Sequence, residues 1–361
     1  MDKLLTVNRL IIMKKKMKRS SIKDVAKKAG VSISTVSSVI NKNKFVSEER
    51  EKKVLAAIKK LKYKPNIIAR GLRTKSTRAV GVILPDIAQP FFAQVIRGME
   101  EAARKRNYTL ILGCSFYDIA EEERQINILM NQFVDGIIFF CGFDSHDHIR
   151  MVHNYGIPVV LTDREIGNTQ IPSVLIDNAL AMEKVIDYLA DLGHREIGYL
   201  SFSLDNQTTV RRRYEGYLSG LKKNGLKFDP KQVIIDDSIR LNEFKRTYYV
   251  VKELLKRKSM PTAFAALADY LSIGLMKALK EMGYKIPEDI SVIGFNNEIV
   301  SQFSDPPLTS VKQPKKLMGK TTMDLLLDMV EGKKIEEKNI VLSTEIIERG
   351  SAGPVKIKTK T

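Results

Sequence analysis

SIKDVAKKAGVSISTVSSVIN, residues 21–41, decides how the N-terminal part of this chain folds. Ile22, Val25, Ala26 and Ala29 recur at helical spacing, and Gly30 stands where a left-handed residue ends a helix. Ser32 can cap a second helix, which turns Val36, Val39 and Ile40 inward together with either Ile33 or the methyl group of Thr35. The other face of that helix carries hydroxyls. Serine and β-branched residues are mediocre helix formers, so neighbouring helices rather than propensity must hold it. Ala26, Gly30 and Val36 occupy the small, turn and core positions of a helix-turn-helix. A third helix is expected after Ser47 as cap, with Glu48 and Glu49 at its positive end and Val54, Leu55, Ile58 and Leu61 covering the first two. Pro65 stops it. Asn66 can cap one further turn up to Leu72, which Gly71 weakens by about 1 kcal/mol relative to Ala.

The charge is just as localised. Residues 1–78 hold 23 Lys and Arg against 5 Asp and Glu, whereas the remaining 283 residues hold 37 of each. The whole excess of +18 therefore sits in the first fifth of the chain, as expected of a polyanion-binding head on a neutral body. Residues 1–18 lack the helical patterning of the head, and Met17 is the expected start of translation. No signal peptide or membrane span is legible, and the two cysteines, Cys114 and Cys141, read as reduced thiols in strands, so a cytoplasmic protein is expected.

From Arg78 onward, strand-like runs (RAVGVILPD, YTLILGCS, DGIIFFC, IPVVLTD) alternate with helical stretches at 92–107 and 121–133. A second series comes after them: EIGYLSF, VIID, TAFAALA and ISVIGFN. Such alternation predicts an α/β body of two parallel sheets flanked by helices. Ligands in such folds sit beyond the carboxyl ends of strands. Asp86, Phe91 and Phe92 follow the first strand, Asp163 and Arg164 follow VVLT, Asp269 follows TAFAALA, and Asn296 follows SVIGF. Asp86 and Asp163 are equally suited to capping, and Arg213 to being one solvated member of Arg211–Arg213.

The head and the strands together resemble the lactose-repressor (LacI/GalR) family of bacterial regulators. SIKDVAKKAGVSISTVSSVINKNKFVSEE and LKYKPNIIARGLRTKSTRAVGVILPDIAQPFFAQVIRGME carry the resemblance, which continues through VDGIIFF, IPSVLIDN, LGHREIGYL, RRYEGY, PEDISVIGFNN, DPPLTSVKQP and TEIIERGS over about residues 20–351. It implies a helix-turn-helix head at 19–64 and a hinge helix at 65–78. The implied effector-binding and dimerisation core spans 79–351, with periplasmic-binding-protein-like subdomains at 79–178 and 179–305, crossovers at 306–351, and a flexible tail at 352–361. It also implies a homodimer, with a tetramer as the larger assembly, on a near-palindromic double-stranded operator.

Carried over residue by residue, Ile33, Ser34, Thr35, Ser37, Ser38 and Asn41 face bases or phosphates, and Asn66, Ala69, Leu72 and Arg73 belong to the hinge, with Leu72 as the minor-groove wedge. Phe91, Phe92, Asp163, Arg213, Asp269 and Asn296 match effector-pocket positions, suited to a sugar because carboxylate, guanidinium and amide groups pair with hydroxyls. A purine or nucleoside is the alternative effector. The family often has Arg where Ser38 stands, Asp where Asn296 stands and Asn where Ala268 stands, so neither operator nor effector follows from the resemblance. No enzyme is expected and no cofactor: His146-Asp147-His148 reads as a solvated loop, His194 as a helix C-terminal cap, and neither a phosphate loop nor a G-x-S-x-G turn occurs. A solute-binding transport component, the other rival, has no use for the basic head.

Overall fold

The computed structural model describes residues 20–41, 44–63, 76–140, 142, 146–167, 169–204, 208–236, 244–255 and 260–355. The N-terminal extension, most of the hinge with Asn66, Ala69, Leu72 and Arg73, and Cys141 lie outside the described residues. The chain divides into two compact units, Met1–Thr77 and Arg78–Thr361.

In the first unit, α1 (Ile22–Ala29), α2 (Ile33–Asn41) and α3 (Glu48–Leu61) enclose a small core of Val25, Ala26, Val36, Val39, Val54 and Ala57. Ser21 and Asp24 form a reciprocal capping box at the start of α1, and Gly30 takes the left-handed conformation at φ 66°. The Ser32 hydroxyl accepts the Thr35 N–H at 3.1 Å and so caps α2 as expected. Two expectations for α3 fail. Ser47 makes no side-chain cap bond, and Leu55 is exposed while Ala57 takes the inward place, because positions 54, 57, 58 and 61 follow the helical repeat more closely.

In the second unit, β1 (Ala79–Leu84), β2 (Thr109–Cys114), β3 (Gly136–Phe139), β4 (Val159–Thr162), β5 (Ser173–Ile176) and β11 (Asn339–Leu342) form one parallel sheet in the order β11-β5-β4-β3-β1-β2. A second sheet, ordered β12-β10-β9-β8-β6-β7, contains β6 (Ile197–Ser201), β7 (Val233–Ile235), β8 (Ala263–Ala266), β9 (Ser291–Asn296) and β10 (Thr309–Lys312), with β12 (Glu345–Ile347) antiparallel at its edge. The central strands are buried on both faces, as sheets covered by helices require.

The helices that line the cleft are α4 (Pro90–Lys105) and α8 (Thr208–Lys223), and the other long helices around the sheets include α7 (Asn178–Asp191), α10 (Asp269–Glu281) and α12 (Lys315–Val330). Between them in chain order come α5 (Ile119–Asn131), α6 (Asp147–Asn154), α9 (Phe244–Leu255) and α11 (Ile299–Phe303). α7 packs on α8, so the first crossing into the second sheet follows β5. β10 remains in the second sheet. The chain returns only with α12, which packs on α4 and on β3, β4 and β5, and crosses a last time between β11 and β12. Residues 352–355 are not a loose tail: Gly353 N–H donates to Ser291 Oγ at 3.1 Å and Val355 N–H to Leu192 O at 3.1 Å.

Candidate functional site

In the head, Ile33 and Ser34 are exposed, and Thr35, Ser38 and Asn41 are half-buried. These residues share the outer part of α2, with Ser34 Oγ 2.7 Å from Ser32 Oγ. The Ile33-or-Thr35 alternative resolves with Ile33 outward. Ser37 departs from its expected role. It is buried, and Asn41 Nδ2 donates to its carbonyl at 2.7 Å and lies 3.1 Å from its hydroxyl. At position 37 the helical repeat turns the side chain inward beside Val36, so its hydroxyl is used within the head rather than offered outward.

In the second unit a cleft opens between the two sheets, walled by residues of both. The first sheet's side supplies Gln89, Phe91 and Phe92 at the start of α4, Tyr117 after β2, and Asp163 after β4. The second sheet's side supplies Phe202, Thr209, Val210, Arg213, Leu267, Asn296 and Gln313. Five of the six expected pocket residues thus converge on it: Asp163 and Asn296 from strand ends, Phe91 and Phe92 from the start of α4, and Arg213 from within α8.

The polar members are held in place. Arg213 donates from Nε to Asn178 Oδ1 and from one terminal nitrogen to Leu267 O, both at 2.8 Å, and its guanidinium lies 3.8 Å from the centre of the Phe295 ring. Gln313 donates to Asn296 Oδ1 at 2.7 Å, and Gln89 to the Tyr117 hydroxyl at 3.0 Å. Asp163 has φ 51° and is followed by Arg164, which donates to Glu122 Oε1 at 2.7 Å inside the first subdomain. His148 Nε2 meets the same oxygen at 2.9 Å. Burial opposes the charge on Glu122, yet the bonds from His148 and Arg164 hold its carboxyl below the ordinary range. His148 is therefore a buried member of an ionic cluster on α6, not part of a solvated loop. Among the described residues, no group of three or more His, Cys, Asp and Glu is placed to hold a metal ion.

Asp269 is not on the cleft wall. It is fully buried, accepting from Glu298 N–H at 2.6 Å, Ser301 Oγ at 2.7 Å and Ser310 Oγ at 2.6 Å. A Cβ on Gly294 would collide with this carboxylate, which explains the glycine of the GFNN segment. Asp269 knits α10, α11 and β10 together, and its carboxylate faces these internal donors rather than the cleft. Burial nevertheless pushes its carboxyl up to about 6. His194 also departs from expectation. Its ring bridges Thr262 Oγ1 at 2.9 Å to Ser291 Oγ and Gly353 O at 3.1 Å, and burial lowers its pKa. Among the cleft residues not anticipated, Gln313 and Phe202 were reachable by the same strand-end rule, since Gln313 directly follows β10 and Phe202 directly follows β6.

A three-helix head of this kind and a two-sheet core closing on a polar cleft define a DNA-reading regulator with a small-molecule site. Residues 21–66 match the family described as bacterial regulatory proteins, lacI family, and residues 186–352 match the periplasmic binding protein-like domain. The HTH-type transcriptional regulator RegA of Clostridium saccharobutylicum is 34% identical over 332 residues, covering 92% of this chain and 99% of that protein. The HTH-type transcriptional repressor PurR of Pasteurella multocida is 33% identical over 333 residues, covering 92% and 98%. Among solved structures, the lac repressor dimer bound to operator and the anti-inducer ONPF aligns with a TM-score of 0.82 at 26% identity, covering 93% of this chain and all of that one. The CelR–cellobiose complex aligns at 0.69 and 29%, covering 92% of this chain and 100% of that one. The chain belongs to the LacI family. It is a DNA-binding transcriptional regulator with an effector-binding domain, a non-enzymatic class whose members bind operator DNA and small-molecule effectors as dimers.

Proposed function

We propose that the effector is a sugar or sugar derivative held in the cleft, and that it sets the affinity of a cytoplasmic homodimer for a near-palindromic operator. The observation that supports this reading is the convergence of Asp163, Arg213, Asn296 and Gln313 from two different sheets on one aromatic-edged cleft. Carboxylate, guanidinium and amide groups at fixed positions pair with the paired hydroxyls of a sugar ring, and phenyl rings pack on its C–H faces. Because the walls come from both subdomains, a ligand contacting both favours the closed arrangement. Any difference in affinity between the DNA-competent and DNA-incompetent arrangements then becomes control of operator binding. Release of a repressor by an inducer is the coupling proposed.

A melting screen of the full chain against mono- and disaccharides, nucleobases and nucleosides tests the ligand class. A sugar should raise the melting temperature of the native chain, and the rise should be lost in Asp163→Asn. A response to nucleobases alone would replace the sugar with a purine.

A further inference from the structure

One helix touches both walls of the cleft. α12 lies so close to α4, which carries Phe91 and Phe92, that a Cβ on Gly98 would collide with Lys316 O and one on Gly319 with Val95 O. Thr322 on α12 lies 3.1 Å, oxygen to oxygen, from Thr162, the residue before Asp163. α12 is thereby fixed to the first subdomain. Its first residue, Lys315, reaches the other way. The Lys315 ammonium donates to Asn296 O at 2.6 Å and Asn297 O at 3.1 Å and pairs with Glu298 Oε1 at 3.3 Å.

The place reached is unusual. Asn296 and Asn297 both have positive φ, 106° and 50°, which side chains other than glycine seldom adopt without support. Ser310 Oγ accepts the Asn297 N–H at 3.0 Å and Arg349 donates to Asn297 Oδ1 at 2.6 Å, while Lys315 satisfies the two carbonyls that the turn points inward. The Lys315 and Glu298 side chains are 5% and 0% exposed. Burial lowers the Lys315 pKa and raises that of Glu298, so the charged pair is costly to bury.

We propose that Lys315 is a positioning residue of the effector cleft: it ties the Asn296–Asn297 turn of one wall to the helix fixed on the other, so that the crossover and the pocket wall move together. This rests on the reading of the cleft as the effector site. Lys315 touches no effector in the proposal; it acts through Asn296 and through its neighbour Gln313.

The test uses the full chain, Lys315→Met, and the double variant Lys315→Met/Glu298→Gln, which avoids stranding a buried carboxylate if the single variant fails to fold. By mass-resolved amide exchange without ligand, segments 295–298 and 313–318 should exchange at least about tenfold faster, with β8 and α10 unchanged. Unchanged exchange in both segments, or an equal rise through the whole second sheet, overturns the proposal. In parallel, cellobiose, D-ribose, D-glucose and hypoxanthine are the probes, with a duplex selected by the native chain from a random-sequence pool. The probe that raises the native melting temperature should still do so in the double variant, while its effect on duplex affinity falls to under about twofold. A merely structural role would weaken probe binding and leave the affinity ratio intact, and that result also overturns the proposal. If no probe shifts the native chain, the sugar reading fails, and the exchange result alone decides for or against Lys315.

Discussion

At the residue scale, the chemistry of a side chain was more legible in the sequence than its direction. Asp163, Arg213 and Asn296 carry the groups a polar cleft needs; Asp163 and Asn296 stand at strand ends where such clefts form, and Arg213 reaches in from α8. Asp269 has the same chemistry and a similar place, yet three internal donors claim it. Strand-end position cannot separate the two cases, because which side of the chain faces the cleft depends on partners more than 25 residues away. Ser37 shows the same limit within a helix, where its hydroxyl is claimed by Asn41. The buried Asp269 also yields a prediction. Its pKa rises from 3.8 unfolded to about 6 folded, so folding takes up a proton between those values. Its contribution to stability is complete below the unfolded pKa and is lost as the pH rises through about 6. In urea unfolding of the full chain, Asp269→Asn should flatten that fall, by at most about 3 kcal/mol. Parallel pH profiles for the two proteins would contradict the assignment. Asp269→Ala, which strands three donors, should destabilise by about 3–5 kcal/mol at any pH in this range.

At the element scale, the helix-turn-helix and the two strand series were legible because hydrophobic period and capping are local. Ser32 and Gly30 do in the structure what their residue types suggest. The crossovers were less legible. The end of the second subdomain, expected near 305, falls after β10, since TSVK pairs with β9 and nothing in its composition says so. Nor does local sequence reveal that α12 returns to the first sheet, although Gly98 and Gly319 are the marks of that contact once it is known. Gly98→Ala should force the two helices apart and destabilise the chain by about 1–3 kcal/mol, measured by urea unfolding. An unchanged midpoint would mean that α4 and α12 do not meet as closely as their backbones indicate.

At the scale of the whole molecule, the division of charge was the plainest signal, with all of the net +18 in the first 78 residues ahead of an electrically balanced body. A head so charged releases counterions on binding DNA, so affinity should fall steeply with salt for any duplex. The expectation that Leu72 acts as a minor-groove wedge makes a separate prediction, because an apolar wedge acts only where the minor groove can be kinked. Leu72→Ala should weaken binding to the selected duplex far more than to random DNA, and equal losses would remove the wedge from the account. The central claim joins the two units: a small molecule in the cleft controls DNA affinity. The most direct measurement is the affinity of the full chain for its selected duplex, by fluorescence anisotropy, with and without the sugar that raises its melting temperature. The account predicts a change of about 5–150-fold in the native chain and none in Asp163→Asn; an affinity that the bound sugar leaves unaltered would contradict it.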